Sequence, residues 1–281
     1  MGVLYVVDPV SGNDTYSGTE ERPFKTIAHA LAQSDVGAGT VIRVLDDTTT
    51  NEAITWTKSG AAGNPIHIVR SGNGTNRPKI NGELNGQTFI FSACAYVVLD
   101  GFEVYGGRNG IGFTGCHDCE VVNCDVHDPN QDAGAPNSTG WCFTGAGSDT
   151  YNNGIRRCVV HDSLNDGLSS GEAHGWLIED CYFHTIGDQV TPADTFNTDG
   201  IAFHGSRLTP TIVRRCKFEA IRGKAAISTF SPGAWVFVDS CYIIDCLRTG
   251  ILADEADVTV TVTNTIVVLP DQIEVDPIAQ G

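Results

Sequence analysis

The chain has 281 residues, 41% of them hydrophobic, with 32 glycines and only 18% charged residues, the composition of a folded protein rich in strands and tight turns. Its formal charge of -17 repels phosphate backbones, and no basic cluster is present to release counterions, which excludes nucleic acid as a partner. No apolar run approaches the ~20 residues of a spanning helix, and Met1 to Asp8 is too short and lacks the basic start of a signal peptide, so no membrane partner is expected.

The first segment carries Tyr5-Val6-Val7-Asp8-Pro9, Ser11-Gly12-Asn13-Asp14, Gly18-Thr19 and Pro23-Phe24-Lys25-Thr26-Ile27. The polar, Gly-rich turn hands over at Pro23 to a predicted helix with Phe24, Ile27 and Leu31 at i, i+3 and i+7, a stripe that can plug the open end of a coil. This opening resembles that of many pectate-lyase-like β-helix proteins. The resemblance implies an all-β, right-handed parallel β-helix, a solenoid closed by an N-terminal capping α-helix, and says little about chemistry. The expected organisation is one domain over 1–281, with the cap at 1–36, coils at 37–268 and a tail at 269–281.

Next comes a recurring strand of the form polar-Cys-x-apolar: Asn123-Cys124-Asp125-Val126, Arg157-Cys158-Val159-Val160, Asp180-Cys181-Tyr182-Phe183, Arg215-Cys216-Lys217-Phe218 and Ser240-Cys241-Tyr242-Ile243. The Cys-to-Cys steps are 34, 23, 35 and 25 residues; Thr265 continues the series 24 residues later, and Leu99-Asp100-Gly101-Phe102 precedes it with Gly101 23 residues before Cys124. A second strand with Gly before an apolar pair recurs between these, as in Gly110-Ile111, Gly140-Trp141, Gly167-Leu168, Gly200-Ile201 and Gly250-Ile251. Self-similarity at this period marks a solenoid, and the Val, Ile, Phe and Thr alternation excludes helical repeats. Alternation turns Cys124 and Val126 inward and leaves Asp125 and His127 outward, so the five cysteines form an internal file of small buried side chains. Cys116-x-x-Cys119 has no second CxxC at zinc-ribbon spacing.

Two long insertions, Pro129 to Ser138 and Gly187 to Thr198, each lie between a Cys-type and a Gly-type strand and are expected to wall a groove over the Gly-type strands. In the lyases and polygalacturonases that the chain resembles, the active site lies along the corresponding face. Aligning Leu168 with Ile201 stacks Asp166 on Asp199, about 4.8 Å apart by strand spacing. Two carboxylates that close share a proton or bind metal, with backbone capping at a turn as the structural alternative. Lys224, Arg222, Arg248 and His204 are expected nearby. This set suits β-elimination on a uronic-acid polymer: Asp166 and Asp199 hold Ca²⁺, with Asp188 and Asp194 completing the site, Lys224 or His204 is the base, and Arg222 or Arg248 clamps the substrate carboxylate.

A second cluster places His127, His161 and His184 at equivalent outward positions on three successive rungs, flanked by Asp128 and Asp162, with Glu219 on the next rung. It can hold a transition metal, supply an acid/base pair, or form a surface ladder. Trp141, Tyr151, Trp176 and Phe196 are aromatic candidates for sugar stacking, with core or strand packing the favoured reading of Trp141 and Trp176. Asn197-Thr198-Asp199-Gly200-Ile201 resembles the Asn-Thr-Asp motif of polygalacturonase-type hydrolases, which implies an acid/base role for Asp199, though the family's other motifs are absent.

Three functions follow. A lyase acting on an acidic polysaccharide is favoured, with a hydrolase using Asp166 and Asp199 and a non-catalytic carbohydrate-binding or phage tail-spike protein as alternatives. A monomer is expected for the enzymes and a trimer for a virion protein, in an extracellular or virion-associated setting.

Overall fold

The computed structural model describes residues 2–72, 76–83, 86–129, 140–187, 198–205, 209–255 and 257–269. Among these, the strands form three parallel sheets of ten, nine and eight strands, named here the first, second and third. Each complete coil adds one strand to each in turn. Val97–Asp100, Glu103–Tyr105 and Asn109–Thr114 make one coil, and Glu120–Val122, Asp125–His127 and Phe143–Ala146 make the next. Among the described residues no helix is long and apolar enough to cross a membrane.

The polar-Cys motif explains the corner between the first and second sheets. Asn123, Arg157, Asp180, Arg215, Ser240 and Asn264, each the residue before the Cys or Thr, take left-handed φ values of 48° to 55°. One left-handed residue turns the chain sharply, and the next side chain then points into the coil. Cys124, Cys181 and Cys216 place Sγ 3.3, 3.2 and 3.3 Å from the carbonyl oxygens of Val122, Glu179 and Arg214, so the thiol satisfies a carbonyl at the bend. All ten cysteines are buried and free, and burial pushes the Cys158 and Cys216 thiols well above the ordinary range.

Two expectations shift. Glu103 pairs with Asp125, so Phe102 rather than Gly101 stands opposite Cys124, while Gly101 (φ 87°) is the corner residue matching Asn123. The glycine supplies the left-handed turn at low cost, and the buried phenyl ring fills the space of the thiol. The cap helix is Ile27–Ala32, with Thr26 as N-cap, and its buried residues are Ile27 and Ala30. Phe24 lies before it, bridged to Val7, and Leu31 is only partly buried. Glu52 accepts from the Ile27 and Ala28 N–H groups at 2.9 and 3.2 Å, satisfying two of the helix's free donors. Leu4–Val7 pairs with Val41–Val44, so the N-terminal segment also supplies the outermost strand of the first sheet.

Inside, one apolar cluster runs from Tyr5 to Cys246. Phe91 stacks on Phe113 and Phe183 on Phe218, each with centroids 5.0 Å apart, because in-register rungs place like rings at one strand spacing. Closed packing of this kind predicts that none of the ten thiols reacts with a thiol reagent in the native protein and that all ten react in denaturant. A shortfall in denaturant would reveal a disulfide, and rapid native reaction would show the file to be open.

Candidate functional site

Two clusters stand on the outside of the coil, one on each of two sheets. On the third sheet, Asp166 and Asp199 lie on adjacent rungs as the alignment expected, but both are buried, at 4% and 0% exposure. The Asp199 N–H donates to Asp166 Oδ1 at 2.8 Å, and the Ala225 N–H donates to Asp199 Oδ1 at 2.7 Å. Two rungs before Asp166, Asn109 Oδ1 likewise accepts from the Gly140 N–H, at 3.1 Å. These side chains therefore cap the backbone where the chain enters the third sheet.

Burial raises the Asp166 carboxyl well above its usual range, with the Asp199 charge adding to it. Burial likewise raises Asp199 to about 6. Calcium takes roughly six to eight oxygen ligands, and two enclosed carboxyls already bound to amides do not offer them. Asp188 and Asp194, expected to complete the site, lie outside the described residues, as do Asn197 and Phe196.

Beside this pair the outer edge of the third sheet gathers two of the expected residues, Lys224 and His204, on the Phe230 ring. The Lys224 ammonium lies 4.3 Å from the centre of the Phe230 ring and is paired with Asp254, and the His204 ring stacks on Phe230 at 4.8 Å. Partial burial and the Lys224 charge hold His204 below its ordinary pKa, so the imidazole is neutral at pH 7. Next to them Gly112, Thr144, Ser169, Ala202 and Ser228 stand in register, a strip of small residues between the core positions. Arg222 is turned away, with both guanidinium nitrogens on Asp245 at 2.8 to 3.1 Å. Arg248 is exposed just before the strand Thr249–Ala253.

On the second sheet, His127, His161 and His184 pair in register and stack, with centroids 4.7 and 4.8 Å apart and planes within 12° and 4°. Tyr105 continues the stack below at 5.5 Å, and Glu219 takes the position above. A left-handed residue follows each histidine: Asp128 (φ 44°), Asp162 (φ 51°) and Thr185 (φ 54°). That conformation folds the side chain back onto the preceding ring. Asp128 Oδ2 lies 2.9 Å from His127 Nδ1, and Asp162 Oδ2 lies 2.7 Å from His161 Nδ1.

On the other side of each ring, Asp125 Oδ1 is 3.0 Å from His161 Nε2 and Glu103 Oε1 is 3.4 Å from His127 Nε2. Burial alone would depress His161, but its bonds to Asp125 and Asp162 push it up to about 9. Asp125 and Glu103 also line a 340 Å³ cleft with Asp47, Asn76, Arg77 and Lys79. Sequence reading found the histidines but did not assign roles to Glu103, Asp125, Arg77 or Lys79. Asp125-x-His127 was the available signal, since alternate residues share a face. Arg77 and Lys79 come from an earlier coil that lacks the Cys motif. Of the aromatic candidates, Trp176 is buried against Phe113, Trp141 is partly buried, and Tyr151 stacks between His117 and His174.

Comparison with known proteins now bears on the coil. A lacto-N-biosidase of Eubacterium ramulus superposes with a TM-score of 0.64 at 13% identity, over 95% of this chain and 68% of that one. An alginate lyase of a Paenibacillus species gives 0.61 at 13% identity, over 86% and 94%. The pectate lyase Pel9A gives 0.60 at 17% identity, over 95% and 78%. The chain folds as a right-handed parallel β-helix, the fold of these proteins. A family model described as a protein of unknown function (DUF1565) matches residues 10–54, which hold the cap helix and the strands Val41–Val44 and Thr49–Asn51. No curated protein sequence matches the chain.

In this β-helix the Asp166–Asp199 pair makes a sharp prediction about pH. Asp199 is raised from 3.8 to about 6, so the folded state holds its proton more tightly than the unfolded state. Stability is therefore lost as pH rises from 3.8 through 6, by about 2–3 kcal/mol for a shift of this size. Asp199→Asn keeps the acceptor for Ala225 and removes that loss. In urea melts the variant should exceed the parent at pH 8 by about this amount, with the difference vanishing near pH 4. Destabilisation at pH 8 would mean that the ionised carboxylate has a cation partner.

Proposed function

We propose that the protein is a carbohydrate-active enzyme that cleaves an acidic, uronic-acid polysaccharide by β-elimination on the outer face of the third sheet. The observation that carries this reading is the meeting of Lys224 and a neutral His204 on the Phe230 ring, beside a strip of small residues. The Lys224–Asp254 ion pair supports this, because the ammonium already holds one carboxylate. A uronate would take the place of Asp254.

The chemistry then balances in one step. Pairing the uronate carboxylate with Lys224 withdraws charge and acidifies the neighbouring C5 proton, which the neutral imidazole of His204 removes. The C5–H electron pair forms the C4=C5 double bond as the C4–O bond breaks, and the leaving oxygen takes a proton from solvent. Asp166 and Asp199 serve this site by holding the backbone amides of Asp199 and Ala225. Calcium, bound together with the substrate, would supply further neutralising charge, and no step here depends on it. The proposed setting is extracellular or virion-associated, with the monomer as the working unit. Low identity to the lyases supports the fold alone, so substrate and reaction rest on the site.

Incubation with a panel of uronic-acid polymers, with calcium and then with EDTA, should raise the ultraviolet absorbance of an unsaturated product. Lys224→Ala and His204→Ala should each lower kcat/KM by about 10²- to 10⁴-fold while the protein stays folded. New reducing ends without that absorbance would transfer the reading to a hydrolase. Silence in both assays would overturn the enzyme and leave a carbohydrate-binding or virion protein.

A further inference from the structure

We propose that Asp125, His127 and His161 form a binding site for a borderline divalent transition ion such as Zn²⁺, separate from the third-sheet face. One ligand atom from each of the three lies within 4.8 Å of the other two. The two imidazoles come from adjacent rungs, and the strand spacing that stacks them also brings both Nε2 atoms to one side. Asp125, two residues before His127 and therefore on its face, sets Oδ1 3.0 Å from His161 Nε2. That distance is near the roughly 3.3 Å that separates neighbouring ligands around tetrahedral zinc with bonds of about 2.0–2.1 Å.

The outer partners point the same way. Metal-bound imidazoles commonly use their second nitrogen to donate to a carboxylate, which fixes the ring and its tautomer. Asp128 and Asp162 occupy that place for His127 and His161, each in the left-handed conformation that folds its carboxylate onto Nδ1. The next rung differs on both counts. His184 meets the Thr185 hydroxyl instead of a carboxylate, and Val159 holds relative to it the position that Asp125 holds relative to His161. A simple aromatic ladder would not need carboxylates on both edges of two rings and on neither side of the third.

Two nitrogen donors and one oxygen select zinc or a similar ion over calcium, which favours oxygen cages. Glu103, 3.4 Å from His127 Nε2 and held by Lys79 at 2.9 Å, is placed to become a fourth ligand. Without it the open position faces the cleft lined by Arg77 and Lys79, whose charges fit an anionic ligand such as a carboxylate.

The test uses the full chain, stripped with EDTA and dialysed, titrated with Co²⁺ followed by optical absorption and with Zn²⁺ followed by calorimetry. One equivalent should bind, and His161→Gln should abolish it. Asp162→Asn should weaken it by about 10- to 100-fold, and His184→Gln should leave it unchanged. Circular dichroism confirms folding of each variant, and Asp125→Asn replaces His161→Gln if the latter fails to fold. Absence of stoichiometric binding, equal binding by the His161 or Asp125 variant, or preference for Ca²⁺ over Zn²⁺ would overturn the proposal. Because the readout is metal binding, the result stands whether or not the protein proves to be a lyase.

Discussion

Everything in this molecule depends on parallel strands of successive coils lying one strand spacing apart and in register. A residue 22 to 37 positions away in sequence becomes the nearest neighbour of its counterpart, so any side chain repeated at a given position becomes a file. Inside, the files are thiols and phenyl rings. Outside, they are imidazoles, carboxylates and the small residues of the third sheet. The corners that hold this register are single left-handed residues, and the polar side chains found there then meet each other as well, as Arg215 does with Asp180 at 2.7 Å.

Stacking penalises like charges, and a chain with a formal charge of -17 must manage that cost. In the first sheet the buried Glu179 is surrounded by Arg156, Arg214 and Arg215 from the two flanking coils. Where burial outweighs any counter-charge, the proton does the work, as in the raised carboxyls of Asp166 and Asp199. The two outer clusters show the constructive use of the same constraint. Lys224, His204 and Phe230 come from two neighbouring coils, and the four carboxylates around His127 and His161 from three.

Much of this was legible in the sequence because the coil converts a repeat directly into proximity. The Cys file, the Asp166–Asp199 stack and the order His127, His161, His184, Glu219 all followed from aligning repeats. Orientation was not legible. At the start of the third-sheet strands the chain is bent, so alternation does not say whether Asp199 faces solvent, and it proves to be enclosed by the amides of the next coil. Gly101 was misaligned by one because a corner glycine and a small core residue look alike in a sequence. Arg77 and Lys79 carry no repeat at all, and only the fold brings them to Asp125.

The register itself can be measured by cross-linking. Paired cysteines at positions 127 and 161, or at 161 and 184, sit one strand spacing apart, about 4.8 Å, within the Cα separation that a disulfide spans. A pair at 127 and 184 is two spacings apart, about 9.6 Å, and out of reach. With the native thiols closed off in the core, mild oxidation of His127→Cys/His161→Cys and of His161→Cys/His184→Cys should give rapid disulfides. The His127→Cys/His184→Cys pair should stay reduced. Efficient closure of that third pair, or failure of the first two in folded protein, would contradict the in-register stack on which both candidate sites depend.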